Sequence, residues 1–416
     1  MTSKILSKFR RHKLLLLLSV IGPGIITANV DNDAGGIATY AIAGAQEGYG
    51  LLWALILITF NLAVIQEMAA RMGVVTGQGL TDLIRERFGV RVTMMTLLLL
   101  ILANIPTTIA EFAGVAAAME IFGISKYISV PLAALFVWFL VVRWNYKQVE
   151  MVLLMGCMIY FTYVASGFMA NPPWGEVLQT TVTPSIKFTP GYINLFIALI
   201  GTTITPWMQF YLQSAVADKG ISIEEYKYTK IDVYFGVFIT DFVAFFIIVA
   251  TAATLFAHGI QIETAADAAI ALEPLAGKYA KILFAIGLLN ASVLGALVLP
   301  LSTAFNVAES FGWESGVSRT FKDAPQFMGL YTFFIVIGAG AIMIPGLPLM
   351  KIMLFSQTVC GILLPPVLIL MLMLINDKRI MGEHVNSTTQ NIVAWATAIV
   401  LIIFTIMLVA STFINI

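Results

Sequence analysis

The chain has 416 residues, of which 59% are hydrophobic and 11% are charged, with 23 basic and 23 acidic side chains and a mean hydropathy of +0.92. One water-soluble core cannot hide that much apolar surface, so the composition excludes a soluble enzyme or binding domain and indicates a polytopic helical membrane protein. We therefore expect the lipid bilayer to surround the chain, and we expect no nucleic-acid partner.

Apolar runs close to the roughly 20 residues that cross a bilayer predict eleven transmembrane helices. In chain order they cover about residues 14–41, 46–71, 92–119, 128–143, 149–169, 191–217, 231–257, 279–307, 328–344, 349–375 and 391–414. Lysines and arginines concentrate in alternate connections, which predicts a cytoplasmic N-terminus and, with an odd number of spans, an external C-terminus.

Two of the predicted spans are interrupted, the first at residues 33–36 (DAGG) and the sixth at residues 201–207 (GTTITPW). The interruptions are five spans apart, which is typical of five-plus-five inverted repeats whose substrate binds near the bilayer midplane. We expect one all-α transporter domain over residues 1–416, with repeat one at about 14–169, repeat two at about 191–375 and an extra C-terminal helix at about 391–414.

The first interruption carries Asp31, Asn32 and Asp33 inside an apolar span. An EF-hand loop is rejected, because its twelfth position needs a glutamate and this chain has Ile42 there. Either Asp31 or Asp33 caps the second half of the helix, or a carboxylate beside unwound carbonyls forms a site for a hard cation.

The second interruption contains Thr202, Thr205 and Pro206. Proline has no N–H and frees the carbonyl about one turn earlier, near Thr202. The alternative is a merely kinked helix whose threonines bond back onto their own turn. The presence of a matching break in the first span favours a binding site.

Other polar residues in the spans allow a structural and a functional interpretation. Glu111 in the third span fits a structural hydrogen bond or an ion pathway, and Gln357 in the tenth fits interhelical bonding or an amide ligand to a cation. Glu67 and Arg71 are one turn apart and are predicted to pair. Asp241 in the seventh span has no evident role. No histidine lies within a predicted span as a proton relay.

Two long stretches resemble the NRAMP family of divalent-metal transporters. They are GPGIITANVDNDAGGIATYAIAGAQEGYGLLW (residues 22–53) and AARMGVVTGQGLTDLIRERFG (residues 69–89), and the likeness extends over spans one to six and, more weakly, span ten. The resemblance implies a LeuT-like fold and metal-ion transport.

The chain departs from the family where the family binds metal and protons. The family's Asp-Pro-Gly-Asn is matched by Asp33-Ala34-Gly35-Gly36, so the aspartate remains and the asparagine is lost. The family's methionine and histidines are replaced in this chain, and its span-three aspartate is lost while the glutamate is kept. The replacing residues are Thr205 for methionine, Trp207 and Gln213 for the histidines, and Thr108 for the aspartate.

These departures resemble a divergent branch of NRAMP-related magnesium transporters. Loss of the thioether removes the soft ligand, and Mg²⁺ prefers one or two carboxylates with retained water. The expected metal site comprises Asp33, Gly36, Thr202, Thr205 and Gln357. The expected surrounding or pathway residues are Asp31, Asn32, Glu111, Trp207 and Gln209.

The predicted function is uptake of hydrated Mg²⁺ by alternating access, uncoupled from protons, with Mn²⁺ as a secondary substrate. One alternative is a proton-coupled Mn²⁺ or Fe²⁺ importer in which Glu111 carries the proton. The other is a non-transporting sensor or an organic-solute carrier. We expect no enzyme activity, no cofactor other than the transported ion, a monomer, and a location in the plasma membrane.

Overall fold

The computed structural model describes residues 23–143, 157–314 and 321–414, and every regular element in these ranges is a helix. The helices of the first part are α1 (Pro23–Asp31), α2 (Ala34–Glu47), α3 (Leu52–Thr76), α4 (Leu80–Phe88), α5 (Val90–Ile121) and α6 (Lys126–Arg143). Those of the middle part are α7 (Phe161–Met169), α8 (Trp174–Val182), α9 (Pro190–Thr203), α10 (Pro206–Asp218), α11 (Tyr226–Thr254), α12 (Ala265–Ala268), α13 (Glu273–Ala276) and α14 (Ala280–Phe311). The last part contains α15 (Pro325–Ile342), α16 (Leu349–Ile375), α17 (Lys378–Met381) and α18 (Thr388–Ile414). Short 3₁₀ turns occur at Cys157–Tyr160, Phe256–His258, Ala269–Leu272 and Gly277–Tyr279.

Eight helical segments in the described ranges are long and apolar enough to cross a membrane. They coincide with predicted spans two, three and six to eleven. The predicted fourth span is the shorter helix α6, and parts of the first and fifth, at 14–22 and 149–156, lie outside the described residues. The predicted all-helical architecture is therefore confirmed for the described residues, with eight helices that could cross a membrane, while the number eleven stays a prediction.

Both predicted helix interruptions are present. Residues 32–33 separate α1 from α2, and residues 204–205 separate α9 from α10. The predicted position of the first break was wrong in one respect, because Gly35 and Gly36 are helical. The reason is the Asp33 side chain, which accepts a hydrogen bond from the Gly36 N–H at 2.6 Å and starts α2 at once.

The start of α2 lies at the centre of the packed helices. Helix α2 contacts α5, α9, α11, α14 and α16, while α1 packs along α11 and α10 packs along α3. Large apolar side chains such as Leu57, Phe60, Met95 and Phe355 are more than half exposed on the outside, as expected for contact with lipid. The two breaks are therefore enclosed by protein.

One end of α3 is joined to the C-terminal part of the chain by a buried polar cluster. The predicted Glu67–Arg71 pair is confirmed, with 3.2 Å between Nη2 and Oε2. Glu67 also accepts hydrogen bonds from Tyr226 and Gln390. Arg71 donates to the carbonyls of residues 384 and 385 at 3.0 Å each. This cluster links α3 with α11 and α18.

Candidate metal site

Asp33 anchors the site because it is fixed at the N-terminus of α2. Its Oδ1 accepts the Gly36 N–H at 2.6 Å, and its backbone carbonyl accepts the Ile37 N–H at 2.9 Å. Asp31, the other candidate cap, has no hydrogen-bond partner at either carboxylate oxygen. Of the two aspartates that were predicted as possible caps, Asp33 caps the second half of the helix. The Asp31 carboxylate does not, and it is buried without a hydrogen-bond partner.

Gly36 allows three oxygen atoms to lie close to the start of α2. A Cβ atom added at this glycine would lie 2.6 Å from the Asp31 carbonyl oxygen, 3.3 Å from Thr202 Oγ1 and 3.4 Å from Asp33 Oδ1. A carboxylate, a backbone carbonyl and a hydroxyl are oxygen ligands of the kind that hard divalent cations take. Our candidate position for the ion is therefore beside Gly36, near these three oxygens.

Gln357 lies over the same place from α16. Its Nε2 is 3.5 Å from Asp33 Oδ1, and its Oε1 has no partner. Gly35 permits this contact, because a Cβ there would overlap the Gln357 side chain. The two glycines of the DNDAGG stretch therefore allow close approach of the Gln357 side chain and of the Asp31 carbonyl, and they do not unwind the helix.

The break between α9 and α10 contributes Thr202 and Thr205. The helical partner of the Thr202 carbonyl would be the N–H of residue 206, which is proline, so that carbonyl has no helical hydrogen bond. The hydroxyls of Thr202 and Thr205 have no partner, and Thr205 precedes α10 without capping it through its side chain. The alternative in which these two threonines bond back onto their own turn is therefore wrong. Thr203 does bond back, to the Leu199 carbonyl, and also contacts the Tyr40 hydroxyl.

Glu111 on α5 reaches the other side of the break. Its Oε2 lies 3.4 Å from the backbone nitrogen of Ala34, its carboxyl interacts with that of Asp33, and its Oε1 has no hydrogen-bond partner. Gly295 on α14 makes room for it, because a Cβ there would overlap the carboxyl. The site thus has a second acidic group in direct reach of Asp33.

The remaining predicted residues lie around this centre. Asn32 donates from Nδ2 to Thr240 Oγ1 at 2.7 Å, so it joins α11. Trp207 and Gln209 are on α10, beyond the second break, and the Trp207 Nε1 and both amide atoms of Gln209 have no partners. Direct contacts bring together Asp33, Gly36, Thr202, Gln357 and Glu111. Thr205 lies in the second break, and Trp207 and Gln209 follow it in the first turn of α10.

All ten predicted site residues are buried. Nine have side-chain polar groups and Gly36 has none, and the nine are at most 2% exposed. Their burial by the surrounding protein shields the described part of the site from solvent. Within the described residues, no group of three or more His, Cys, Asp or Glu side chains is placed to hold a metal. An ion at Asp33 must then be held by carbonyl, hydroxyl and amide oxygens or by its own water.

Two features of the site were missed or left without a role by sequence reasoning. Asp241 lies near Asp31 and acts on it electrostatically. The thiol of Cys360, one turn along α16 from Gln357, contacts Thr107 Oγ1 at 3.3 Å on α5. Only the occurrence of a carboxyl inside a span could have indicated the first, and nothing in the sequence indicates the second.

Comparison with protein families gives one match along almost the whole chain. The family described as natural resistance-associated macrophage protein-like (Nramp) matches residues 24–411. The divalent metal cation transporter MntH of Levilactobacillus brevis is 27% identical over 422 aligned residues, which cover 95% of this chain and 90% of that protein. MntH of Erwinia tasmaniensis is 30% identical over 305 residues, covering 71% of this chain and 73% of that protein.

Solved structures share the fold. The manganese transporter of Eremococcus coleocola, solved with an aromatic bis-isothiourea compound, superimposes with a TM-score of 0.80 at 21% identity, covering 96% of this chain and 88% of that one. Mhp1, a nucleobase-cation-symport-1 family transporter, superimposes with a TM-score of 0.56 at 16% identity, covering 94% and 89%. These similarities show a LeuT-like transporter fold with interrupted helices.

Proposed function

The chain belongs to the Nramp family of divalent metal transporters, and on that premise we propose that it carries Mn²⁺ and Mg²⁺ through the space beside Gly36. The transported ion is the substrate; the family is not one of enzymes, and it indicates no cofactor. The observation that carries the proposal is the set of three oxygens, from Asp31, Asp33 and Thr202, around the position of the missing side chain.

Mn²⁺ is included because of the relatives. The curated relatives are named divalent metal cation transporters, and the solved relative is named a manganese transporter. The expectation of a carrier mainly for Mg²⁺ has no support in these similarities, which favour the Mn²⁺ importer that was the alternative. Transport of organic solutes or a sensor role is likewise not what the family name indicates.

Mg²⁺ is included because of the chain's own donor groups. Asp33, Thr202, Thr205 and Gln357 offer oxygen ligands, and the resemblance to the family places Thr205 where a methionine is usual. The thiol of Cys360 is occupied with Thr107 on α5. Oxygen donors suit Mg²⁺ and Mn²⁺ alike and disfavour softer ions.

The mechanism that we propose is alternating access around the two breaks. In the closed state the ion is held by Asp33 while the half-helices α1 and α10 enclose it. Movement of α1 and of the α9–α10 pair against the other helices would then open the site to one side at a time. A divalent ion gains about 4.6 kcal/mol per 100 mV of inside-negative potential, twice the single-charge value. Uptake down the electrochemical gradient therefore needs no proton.

Proton coupling is a second candidate, and one observation favours it. The carboxyl of Glu111 interacts with Asp33 and has one oxygen without a partner. A proton on Glu111 would leave the pocket when an ion arrives at Asp33. Glu111→Gln keeps an oxygen for the Ala34 N–H and removes the proton site, so it separates the two candidates.

The test is uptake into proteoliposomes under a fixed membrane potential, with internal pH recorded. We expect Mn²⁺ and Mg²⁺ to enter and Cd²⁺ to enter poorly. Uptake that is independent of the pH gradient, both in the wild type and in Glu111→Gln, supports the uniporter. Proton entry that accompanies Mn²⁺ and is lost in Glu111→Gln supports the symporter. Entry of Cd²⁺ in preference to Mg²⁺ would contradict the oxygen-ligand site.

The remaining assignments are proposals of the same kind. We propose two inverted repeats at about 14–169 and 191–375 followed by an extra helix, a monomer, and a plasma-membrane location with the N-terminus in the cytoplasm and the C-terminus outside. The clustering of basic residues in alternate connections supports this orientation.

A further inference from the structure

A pair of buried carboxyls, Asp31 and Asp241, lies beside the site and has no part in the mechanism above. Asp31 ends α1, and Asp241 is in the middle of α11. Asp241 acts electrostatically on Asp31, and hydrogen bonds between adjacent residues hold α1 and α11 together at this place. The Asn32 amide donates to Thr240 Oγ1 at 2.7 Å and to the Thr240 carbonyl at 3.3 Å, and Thr240 Oγ1 donates to the Ala28 carbonyl at 2.6 Å.

No hydrogen bond satisfies this pair. All four carboxylate oxygens are buried without a hydrogen-bond partner. The Oδ1 atom of Asn32, the residue next to Asp31, is also buried without one. The hydroxyl of Thr59 lies near Asp241, but its hydrogen is donated to the Leu55 carbonyl at 2.8 Å. Among the described residues, the charges that act on Asp31 are Asp241 first and Asp33 second, and no basic group is among them.

Two buried carboxylates without a counter-charge are costly unless each is protonated or a cation binds between them. Two protons are needed to neutralise the pair, whereas one divalent cation neutralises both charges and also supplies the partner that the oxygens lack. Two carboxylates with retained water are a ligand set that Mg²⁺ and similar ions accept. The amide oxygen of Asn32 supplies a further ligand of the same kind.

The pair also adjoins the candidate metal site. Asp31 and Asp33 lie on opposite sides of the first break, and Asp33 acts electrostatically on Asp31. Tyr40 interacts with both Asp31 and Asp241, and its hydroxyl lies 2.9 Å from Thr203 Oγ1 on α9. An ion that leaves Asp33 on this side would meet the pair next.

We propose that Asp31 and Asp241 form a second binding site for a divalent cation, next to the site at Asp33. The identity of the ion rests on the proposed function; the existence of the site rests on the unpaired carboxyls. The second site gives the ion a further position on its path, as in pores and carriers where several weak sites follow one another.

The experiment counts Mn²⁺ bound to the purified full-length protein by electron paramagnetic resonance. In Asp33→Asn, which removes the charge of the first site, we expect one bound Mn²⁺ to remain. The double variant Asp33→Asn/Asp241→Asn should bind none, and Asp33→Asn/Asp31→Asn provides an independent second test. The matched control is Asp33→Asn/Glu224→Gln, which removes an exposed carboxylate next to α11 and should retain the ion.

The outcomes separate this inference from the proposed function. Loss of all Mn²⁺ in Asp33→Asn alone, with binding in the wild type, overturns the second site and leaves the first. Retention of the remaining ion in both double variants also overturns it. A wild type that binds no Mn²⁺ contradicts the proposed function as well. Thermal unfolding of each variant, measured in parallel, identifies any that has not folded.

Discussion

Replacing Gly36 by alanine puts a methyl group among the three oxygens beside which we place the ion. The new Cβ would lie 2.6 Å from the Asp31 carbonyl oxygen, and real Cβ atoms essentially never come closer than 3.0 Å to a neighbour. The backbone of the first break must therefore move by at least about 0.4 Å. Overpacking of this kind costs about 1–3 kcal/mol. The same loss in binding lowers affinity by about 5- to 140-fold, at 1.4 kcal/mol per factor of ten.

The assay is Mn²⁺ binding to purified Gly36→Ala, followed by uptake into proteoliposomes. Gly329→Ala is the matched control, because Gly329 is also in the first turns of a helix and a Cβ there would meet nothing within 4 Å. The control should bind Mn²⁺ like the wild type and be slightly more stable, since alanine favours a helix by about 1 kcal/mol over glycine. Normal binding by a folded Gly36→Ala would refute the placement of the ion.

Three further predictions concern the ligands and the surrounding structure. Thr205→Met introduces a thioether at the second break, and we expect Cd²⁺ to compete with Mn²⁺ uptake at least about tenfold better, a gain of 1.4 kcal/mol; unchanged competition would mean that Thr205 does not face the ion. Arg71→Ala leaves Glu67 buried without its cation, which costs about 3 kcal/mol and should lower the thermal unfolding midpoint, whereas an unchanged midpoint would show that Tyr226 and Gln390 suffice. Burial, together with Glu86, raises the pKa of Asp82 on α4 above its usual value, so this group stabilises the fold at low pH and the stabilisation is lost as pH rises through the raised pKa. Asp82→Asn should therefore raise the unfolding midpoint at pH 8 more than at pH 5, and an equal effect at both would contradict the raised pKa.

Hydropathy located the long helices because the bilayer requires about 20 apolar residues in a row. It placed their ends less well where a single side chain decides the boundary. The first break was expected at residues 33–36. Because Asp33 caps α2, the helix begins at Ala34, directly after the cap, and both glycines are helical. The second break was located well, because Pro206 excludes a continuous helix.

The chemistry of the site was only partly visible in the sequence. Unusual residues inside spans pointed to Asp33, Thr202, Gln357 and Glu111, and the structure brings these together. Asp241 could not be placed, because its partner Asp31 belongs to another helix far away in the chain and no local pattern joins them. The close approach of three oxygens to Gly36 depends on atomic distances that periodicity does not contain.

The most direct test of metal transport through this site is Mn²⁺ uptake by proteoliposomes containing the wild type or Asp33→Asn. Asp377→Asn, which replaces a carboxylate outside the site that pairs with Arg87 and Arg379, is the charge-matched control. We predict that the wild type and Asp377→Asn accumulate Mn²⁺ under an inside-negative potential and that Asp33→Asn does not. Equal uptake by Asp33→Asn, or none by the wild type, would contradict the account.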